Sequence, residues 1–146
     1  MLVGTLCSRG PITVSTGAPI SDVARMMRDR HVGAVIVTES DGKRSLVVGI
    51  ITDRDIVRAQ LERTADLSRL SAGQVMTRNP LVIREEESVD GAIAHLHARG
   101  VRRAPVVAQD GILVGLISAD DLLAHAAHKL IGLAEIVGWQ RRIERV

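Results

Sequence analysis

The chain writes one unit twice, and that doubling constrains its fold more than any other feature. Val3-Gly4-Thr5-Leu6-Cys7-Ser8-Arg9-Gly10-Pro11-Ile12-Thr13-Val14 aligns with Ala72-Gly73-Gln74-Val75-Met76-Thr77-Arg78-Asn79-Pro80-Leu81-Val82-Ile83 at an offset of 69 residues. Val48-Gly49-Ile50-Ile51-Thr52-Asp53-Arg54-Asp55 aligns with Val114-Gly115-Leu116-Ile117-Ser118-Ala119-Asp120-Asp121 at an offset of 66. The three-residue difference falls in the loop 38–45, longer than its counterpart 108–111. One copy alone is too short for a good core. The two must therefore share one about a pseudo-two-fold axis, with the interest at their junction.

Each copy reads strand, helix, strand, strand, helix, an α/β (α+β) class unit. Pro11-Ile12-Thr13-Val14 and Pro80-Leu81-Val82-Ile83 read as short first strands. Ile20, Val23, Ala24 and Met27 follow at i, i+3, i+4 and i+7, which is one face of a helix. The same offset of 69 gives Val89, Ala92, Ile93 and Leu96, apolar at all four positions. Val35-Ile36-Val37 and Pro105-Val106-Val107 are short apolar strands, followed by Asp41-Gly42 and Asp110-Gly111 turns and a second hairpin arm. This divides the chain into repeat 1 at 3–61, a polar linker with a helical turn at 62–71, repeat 2 at 72–127 and a helical extension at 128–146. The extension is expected to break or bend near Gly132 or Gly138, and to pack on the domain, on a second subunit, or fray.

Composition narrows the function classes. The 146 residues contain no Phe, no Tyr and a single Trp, Trp139, so the base-stacking platforms of single-strand nucleic-acid modules are missing. Positive and negative charges are interleaved, with a net charge of +2 and no basic stripe. Nucleic acid is therefore not an expected partner. A single cysteine, Cys7, excludes an internal disulfide. No stretch reaches the roughly 20 apolar residues of a membrane span, and no basic segment with a long apolar run opens the chain. The expectation is a cytoplasmic protein with no membrane partner.

Two segments carry chemistry. Thr52-Asp53-Arg54-Asp55 and Ser118-Ala119-Asp120-Asp121 each follow a strand and open a helix. A hydroxyl with a carboxylate three residues later is a capping box, worth about 1 kcal/mol of helix stability. The same geometry serves a ligand, because a helix N-terminus attracts phosphate and a nearby carboxylate accepts from ribose hydroxyls. Spacing alone leaves both open. His125 and His128 sit i, i+3, but two histidines without a third ligand do not define a metal site. Glu85-Glu86-Glu87 reads as a solvated turn, Trp139 as a packing anchor or dimer contact, and Cys7 as a small buried apolar residue. No catalytic constellation appears.

Taken with Gly100-Val101-Arg102-Arg103-Ala104-Pro105-Val106-Val107 and the twice-written Met-Thr-x-x-Pro opening, the chain resembles the cystathionine β-synthase (CBS) domain family in its tandem-pair form, over about residues 3–127. The resemblance implies two β-α-β-β-α units packed as a pair, with clefts that often take adenosine-containing ligands. One cleft would use Ser118, Ala119, Asp120 and Asp121 with Ile12, Gly33 and Ala34. The other would use Thr52, Asp53, Arg54 and Asp55 with Leu81, Arg103 and Ala104. In that reading Asp55 and Asp121 hold ribose hydroxyls, and Thr52 and Ser118 hold phosphate or ribose. Arg102 and Arg103 neutralise phosphates. Repeat 1 has Gly33-Ala34 where repeat 2 has Arg102-Arg103, so the clefts should not be equivalent.

The resulting expectation is a regulatory ligand-sensing module and not an enzyme. It has no required cofactor and no metal. Its ligand is AMP, ADP or ATP, with or without Mg²⁺, ahead of S-adenosylmethionine and NAD. A homodimer is expected, and beyond it an unidentified regulated protein. Two alternatives stand beside it: a ligand-free dimerisation or docking scaffold, and a redox-responsive dimer through Cys7.

Overall fold

The computed structural model describes residues 1–42, 44–62 and 66–143. Two four-stranded sheets carry the fold, each flanked by helices. Repeat 1 builds β2 (Thr13–Ser15), α2 (Ile20–Arg30), β3 (Ala34–Ser40), β4 (Ser45–Thr52) and α3 (Asp53–Glu62). Repeat 2 builds β6 (Ile83–Arg84), α5 (Val89–Arg99), β7 (Arg103–Val107), β8 (Leu113–Ser118) and α6 (Ala119–Ile143). The first strands start later than the sequence suggests, since Pro11 and Ile12, and Pro80 to Val82, stay outside them. The linker holds a 3₁₀ turn, Leu67–Arg69, with the Asp66 side chain accepting from the Ser68 N–H at 3.0 Å.

Periodicity turns into packing as expected for α2. Ile20 and Val23 are fully buried and Met27 nearly so, against Val35, Val37 and Ile51. In α5, Val89, Ala92 and Leu96 do the same against Ile83, Val106 and Ile117, but Ile93 is 46% exposed where its counterpart Ala24 is half-buried, so the third position is not equivalent in the two copies. Each helix ends on a left-handed residue. That residue is Gly100 (φ 62°) in repeat 2 and His31 (φ 51°) in repeat 1, a conformation that suits glycine better.

The sheets are not made of one repeat each. Their strand orders are β2-β3-β4-β5 and β1-β8-β7-β6, where β1 is Ser8–Arg9 and β5 is Thr77–Arg78. The opening of repeat 1 thus completes the sheet of repeat 2, with Ser8 opposite Leu116 and Arg9 opposite Gly115. The opening of repeat 2 completes the sheet of repeat 1, with Gly49 opposite Arg78 and Ile50 opposite Thr77. Short helices precede each exchanged strand, α1 (Val3–Leu6) and α4 (Ala72–Val75). They carry Val3 and Cys7 into the core of repeat 2, and Ala72 and Met76 into the core of repeat 1. The glycines of the repeated Val-Gly motif make room for this. A Cβ on Gly115 would lie 2.6 Å from the Cys7 Sγ, and one on Gly49 would collide with the Met76 side chain.

The first-repeat boundaries drawn at 3–61 therefore describe the sequence unit, while the packing unit of repeat 1 lacks residues 1–9 and gains 72–78. The two sheets meet through a third apolar cluster, Ala34, Ile36 and Ile50 against Val47, Leu113 and Leu116. α6 runs unbroken from Ala119 to Ile143, past both Gly132 and Gly138. The expected break is absent, because a glycine costs a helix only about 1 kcal/mol and removes no hydrogen bond. Among the described residues, no helix is long and apolar enough to cross a membrane.

Candidate functional site

β4 delivers Thr52 to the start of α3. There the sequence Thr-Asp-Arg-Asp closes on itself. The Thr52 N–H and hydroxyl both donate to the Asp55 carboxylate, at 2.8 and 2.7 Å, and the Asp55 N–H approaches the Thr52 Oγ1 at 3.4 Å. β8 and α6 repeat the device: the Ser118 N–H and hydroxyl reach Asp121 at 2.9 and 2.6 Å, and the Asp121 N–H reaches the Ser118 Oγ at 3.2 Å. The capping reading is thus correct in both copies. Among the described residues, the hydrogen bonds of both carboxylates run to Oδ2.

Around the first of these caps lies a cavity of about 550 Å³ that draws on both repeats. Thr52, Asp53, Arg54 and Asp55 form one wall. Leu81, Arg102 and Arg103 from repeat 2 form the other, and the exchanged strand adds Thr77, Arg78 and Asn79. The volume falls within the roughly 300–1,000 Å³ of small-molecule sites. Of the residues expected here, only Ala104 does not line it. Its side chain is fully buried in the repeat 2 core, since alternation along β7 turns it away from Arg103.

Arginine dominates the walls. Arg54, Arg78, Arg99, Arg102 and Arg103 line the cavity against two carboxylates, Asp53 and Asp55. Arg102 reaches Asp120 at 3.2 Å, an exposed pair of little energetic weight. Arg78 donates to the Gly73 carbonyl at 3.0 Å. Arg103 lies over Gly33, where an added Cβ would stand 3.1 Å from its guanidinium. Gly33 of repeat 1 and Arg103 of repeat 2, which the resemblance assigns to different clefts, therefore meet at the junction.

Arg78, Arg99 and Asn79 were not picked out by the sequence reading. Arg99 closes α5 next to Gly100, and Arg78 reaches the cavity only because β5 crosses into the other sheet. Nothing in either local pattern signals this.

Transposed through the repeat offsets, the second cleft pairs Ser118, Ala119, Asp120 and Asp121 with Arg9, Ile12, Arg30, Gly33 and Ala34. Its arginines are two, and Arg9 already sits 3.4 Å from Glu85. Asp120 stands where the first cleft has Arg54. Ala34 is buried between the sheets and presents no side chain to this cleft. On these offsets the second cleft would differ from the first at more than two positions.

Other candidates resolve into structure. Cys7 is buried against Gly115, its thiol aimed at the Gly4 carbonyl, and burial raises its pKa despite the nearby Arg9. A neutral thiol so placed is a poor nucleophile. The acidic turn is not merely solvated: Glu85 faces Arg9, and the Glu87 Oε1 lies 2.8 Å from the His95 Nδ1. The docking of α1 against this turn half-buries both, through Val3 and Gly4 N–H bonds to the Glu87 and Glu85 carbonyls. Among the described residues, no group of three or more His, Cys, Asp or Glu is placed to hold a metal.

Comparison with known proteins places this architecture. The CBS domain family matches residues 3–62 and 72–128. An uncharacterized protein of Methanopyrus kandleri is 27% identical over 121 residues, covering 83% of this chain and 60% of its own length. The chain thus spans well under two thirds of that relative. The CBS domain pair of MJ0100, solved in complex with 5′-methylthioadenosine and S-adenosyl-L-methionine, superposes with a TM-score of 0.78 at 25% identity, over 88% of this chain and 98% of that one. A CBS-domain protein from Agrobacterium tumefaciens, ATU1752, gives a TM-score of 0.76 at 29% identity over 86% and 99%. The twofold motif, the exchanged sheets and these matches together establish that this chain is a member of the CBS domain family, built as a tandem pair.

Proposed function

We propose that the chain is a regulatory sensor that binds a phosphorylated adenosine ligand, of the AMP, ADP or ATP class, in the cavity between Thr52–Asp55 and Arg102–Arg103. One observation carries this reading: five arginines and the N-terminus of α3 converge on a single cavity that both repeats must close. The helix end and the guanidinium groups favour phosphate, and the free oxygen of Asp55 suits a ribose hydroxyl. Leu81, Val101 and Ile50 supply aliphatic surface for adenine.

The MJ0100 pair binds S-adenosyl-L-methionine, whose sulfonium is positive. Five arginines disfavour such a charge, which ranks phosphorylated ligands above it here. A ligand gripping both repeats favours the arrangement that fits it, and so biases any association coupled to that arrangement. The protein acts by this linkage and catalyses nothing.

Thermal unfolding with AMP, ADP, ATP with and without Mg²⁺, S-adenosylmethionine and NAD tests the proposal. A ligand at 100 times its dissociation constant stabilises by about 2.7 kcal/mol, several degrees for a chain of this size. A shift confined to the phosphorylated ligands supports it. No shift with any of them, on folded protein, returns the Thr52 and Ser118 motifs to capping alone and favours the scaffold reading.

A further inference from the structure

The arginines of the cavity only donate hydrogen bonds, and its ionised carboxylates only accept them. A threonine hydroxyl does both, but through one atom, and the Thr52 hydroxyl already donates to Asp55 at 2.7 Å. Among the described residues that line the cavity, Asn79 alone carries a side-chain amide. Its oxygen accepts and its NH₂ donates, side by side on one planar group.

The backbone of Asn79 is in the left-handed region, at φ 47°. Its counterpart in repeat 1, at the offset of 69, is Gly10 at φ 65°. Glycine takes this conformation without strain, and asparagine usually joins it by bonding its side chain to nearby backbone. Asn79 makes no such bond. Its backbone N–H donates to the Val48 carbonyl at 3.3 Å, but among the described residues its carboxamide has no hydrogen-bond partner. The turn therefore gains nothing from the amide that glycine does not supply in repeat 1. The side chain is instead exposed at the cavity wall.

Its neighbours are those suited to a base. Asn79 directly follows β5, whose pairing with Gly49 and Ile50 sets it beside β4. Ile50 on that strand and Leu81, two residues beyond Asn79, both line the cavity with aliphatic surface. Adenine needs more than such a surface to be told from other purines. Its amino group is a donor that stands next to ring nitrogens, which are acceptors.

We infer that the Asn79 carboxamide is the base-reading group of this cavity. Its oxygen accepts from the adenine N6 amino group, and its NH₂ donates to the neighbouring ring nitrogen. The inference rests on the adenosine site proposed above and makes Asn79 the residue that sets its base specificity.

Calorimetric titration with AMP and with purine riboside 5′-monophosphate tests it. The two probes share ribose and phosphate and differ only in the N6 amino group. The wild type should bind AMP at least about tenfold tighter, in line with a bidentate amide–adenine pair. Asn79→Gly installs the residue that repeat 1 carries at this turn, and a cooperative thermal transition confirms that the variant folds. In that variant the preference for AMP should shrink to about twofold or less, chiefly through weaker AMP binding. A wild type that binds both probes equally overturns the inference, as does an Asn79→Gly variant that keeps the tenfold ratio. In either case the adenosine site itself stands. A folded wild type that binds none of AMP, ADP and ATP removes that site, and the inference with it.

Discussion

Asp55 Oδ2 accepts both the backbone N–H and the hydroxyl of Thr52, at 2.8 and 2.7 Å, which commits half of the carboxylate to the helix and leaves the other half for the cavity. On the proposed function, capping and ligand binding would fall to different oxygens of one residue. Asp55→Asn keeps the shape but replaces an acceptor oxygen with a donor. We predict a loss of about 1 kcal/mol in stability from the weakened cap and at least a tenfold loss in nucleotide affinity. Asp121→Asn should cost similar stability and leave that affinity unchanged. Urea unfolding and calorimetric titration separate the two effects.

The arginines should read phosphate and not adenine. A charge-assisted hydrogen bond is worth about 1.5–3 kcal/mol, so Arg103→Ala should weaken ATP binding by about 10- to 100-fold while leaving adenosine binding nearly intact. Gly33→Val should shift binding the same way by a smaller factor, because its side chain displaces the Arg103 guanidinium from across the junction. Equal losses for ATP and adenosine would contradict this division of labour.

Gly115→Ala is expected to destabilise by about 1–3 kcal/mol, the usual cost of overpacking a core. The added methyl meets the Cys7 Sγ and also the Ser8 carbonyl at 2.8 Å, and backbone yields poorly. Cys7→Ala should recover part of that loss. Gly49→Ala should cost less, since it presses mainly on Met76, a long and adaptable side chain. Chemical denaturation midpoints of Gly115→Ala, of Gly115→Ala with Cys7→Ala, and of Gly49→Ala check the order.

Cys7 also sets an alkaline limit. Burial favours its protonated form in the folded state, so its pKa there stands above the unfolded value of about 8.5. That contribution is whole below the unfolded value and is lost as pH rises through the folded one. Stability should therefore fall as pH rises above about 8.5, and Cys7→Ala should flatten this leg. The chain has no tyrosine and only two lysines, Lys43 and Lys129, so few other groups titrate there. An equally steep decline in Cys7→Ala would assign it elsewhere.

Much of this was legible in the residues because the signals were periodic and doubled. Ile20, Val23 and Met27 announced the buried face of α2, and the Thr52 and Ser118 boxes announced two helix starts. The exchange of β1 and β5 was not legible, since a two-residue strand has no periodicity and its partner is chosen by the whole fold. Arg78 and Arg99 were missed for that reason. Ile93 misled because local spacing marks a helix face without saying how wide the covered stripe is. The continuity of α6 through Gly132 and Gly138 likewise depends on the turns around them more than on the glycines.

The exchanged strands also dictate when the molecule can finish assembling during synthesis. The first strand of the nascent chain must wait for Leu116 and Gly115, its partners in β8, to leave the ribosome. Repeat 1 in turn lacks an edge until Thr77 and Arg78 arrive. Repeat 1 is not complete when its own residues have been translated, and pairing of β1 with β8 across so long a separation is slow. Vectorial synthesis therefore closes the sheet of repeat 1 when β5 emerges and that of repeat 2 only when β8 follows, and a chain stalled between the two exposes Val3, Leu6 and Cys7 to whatever else is nearby.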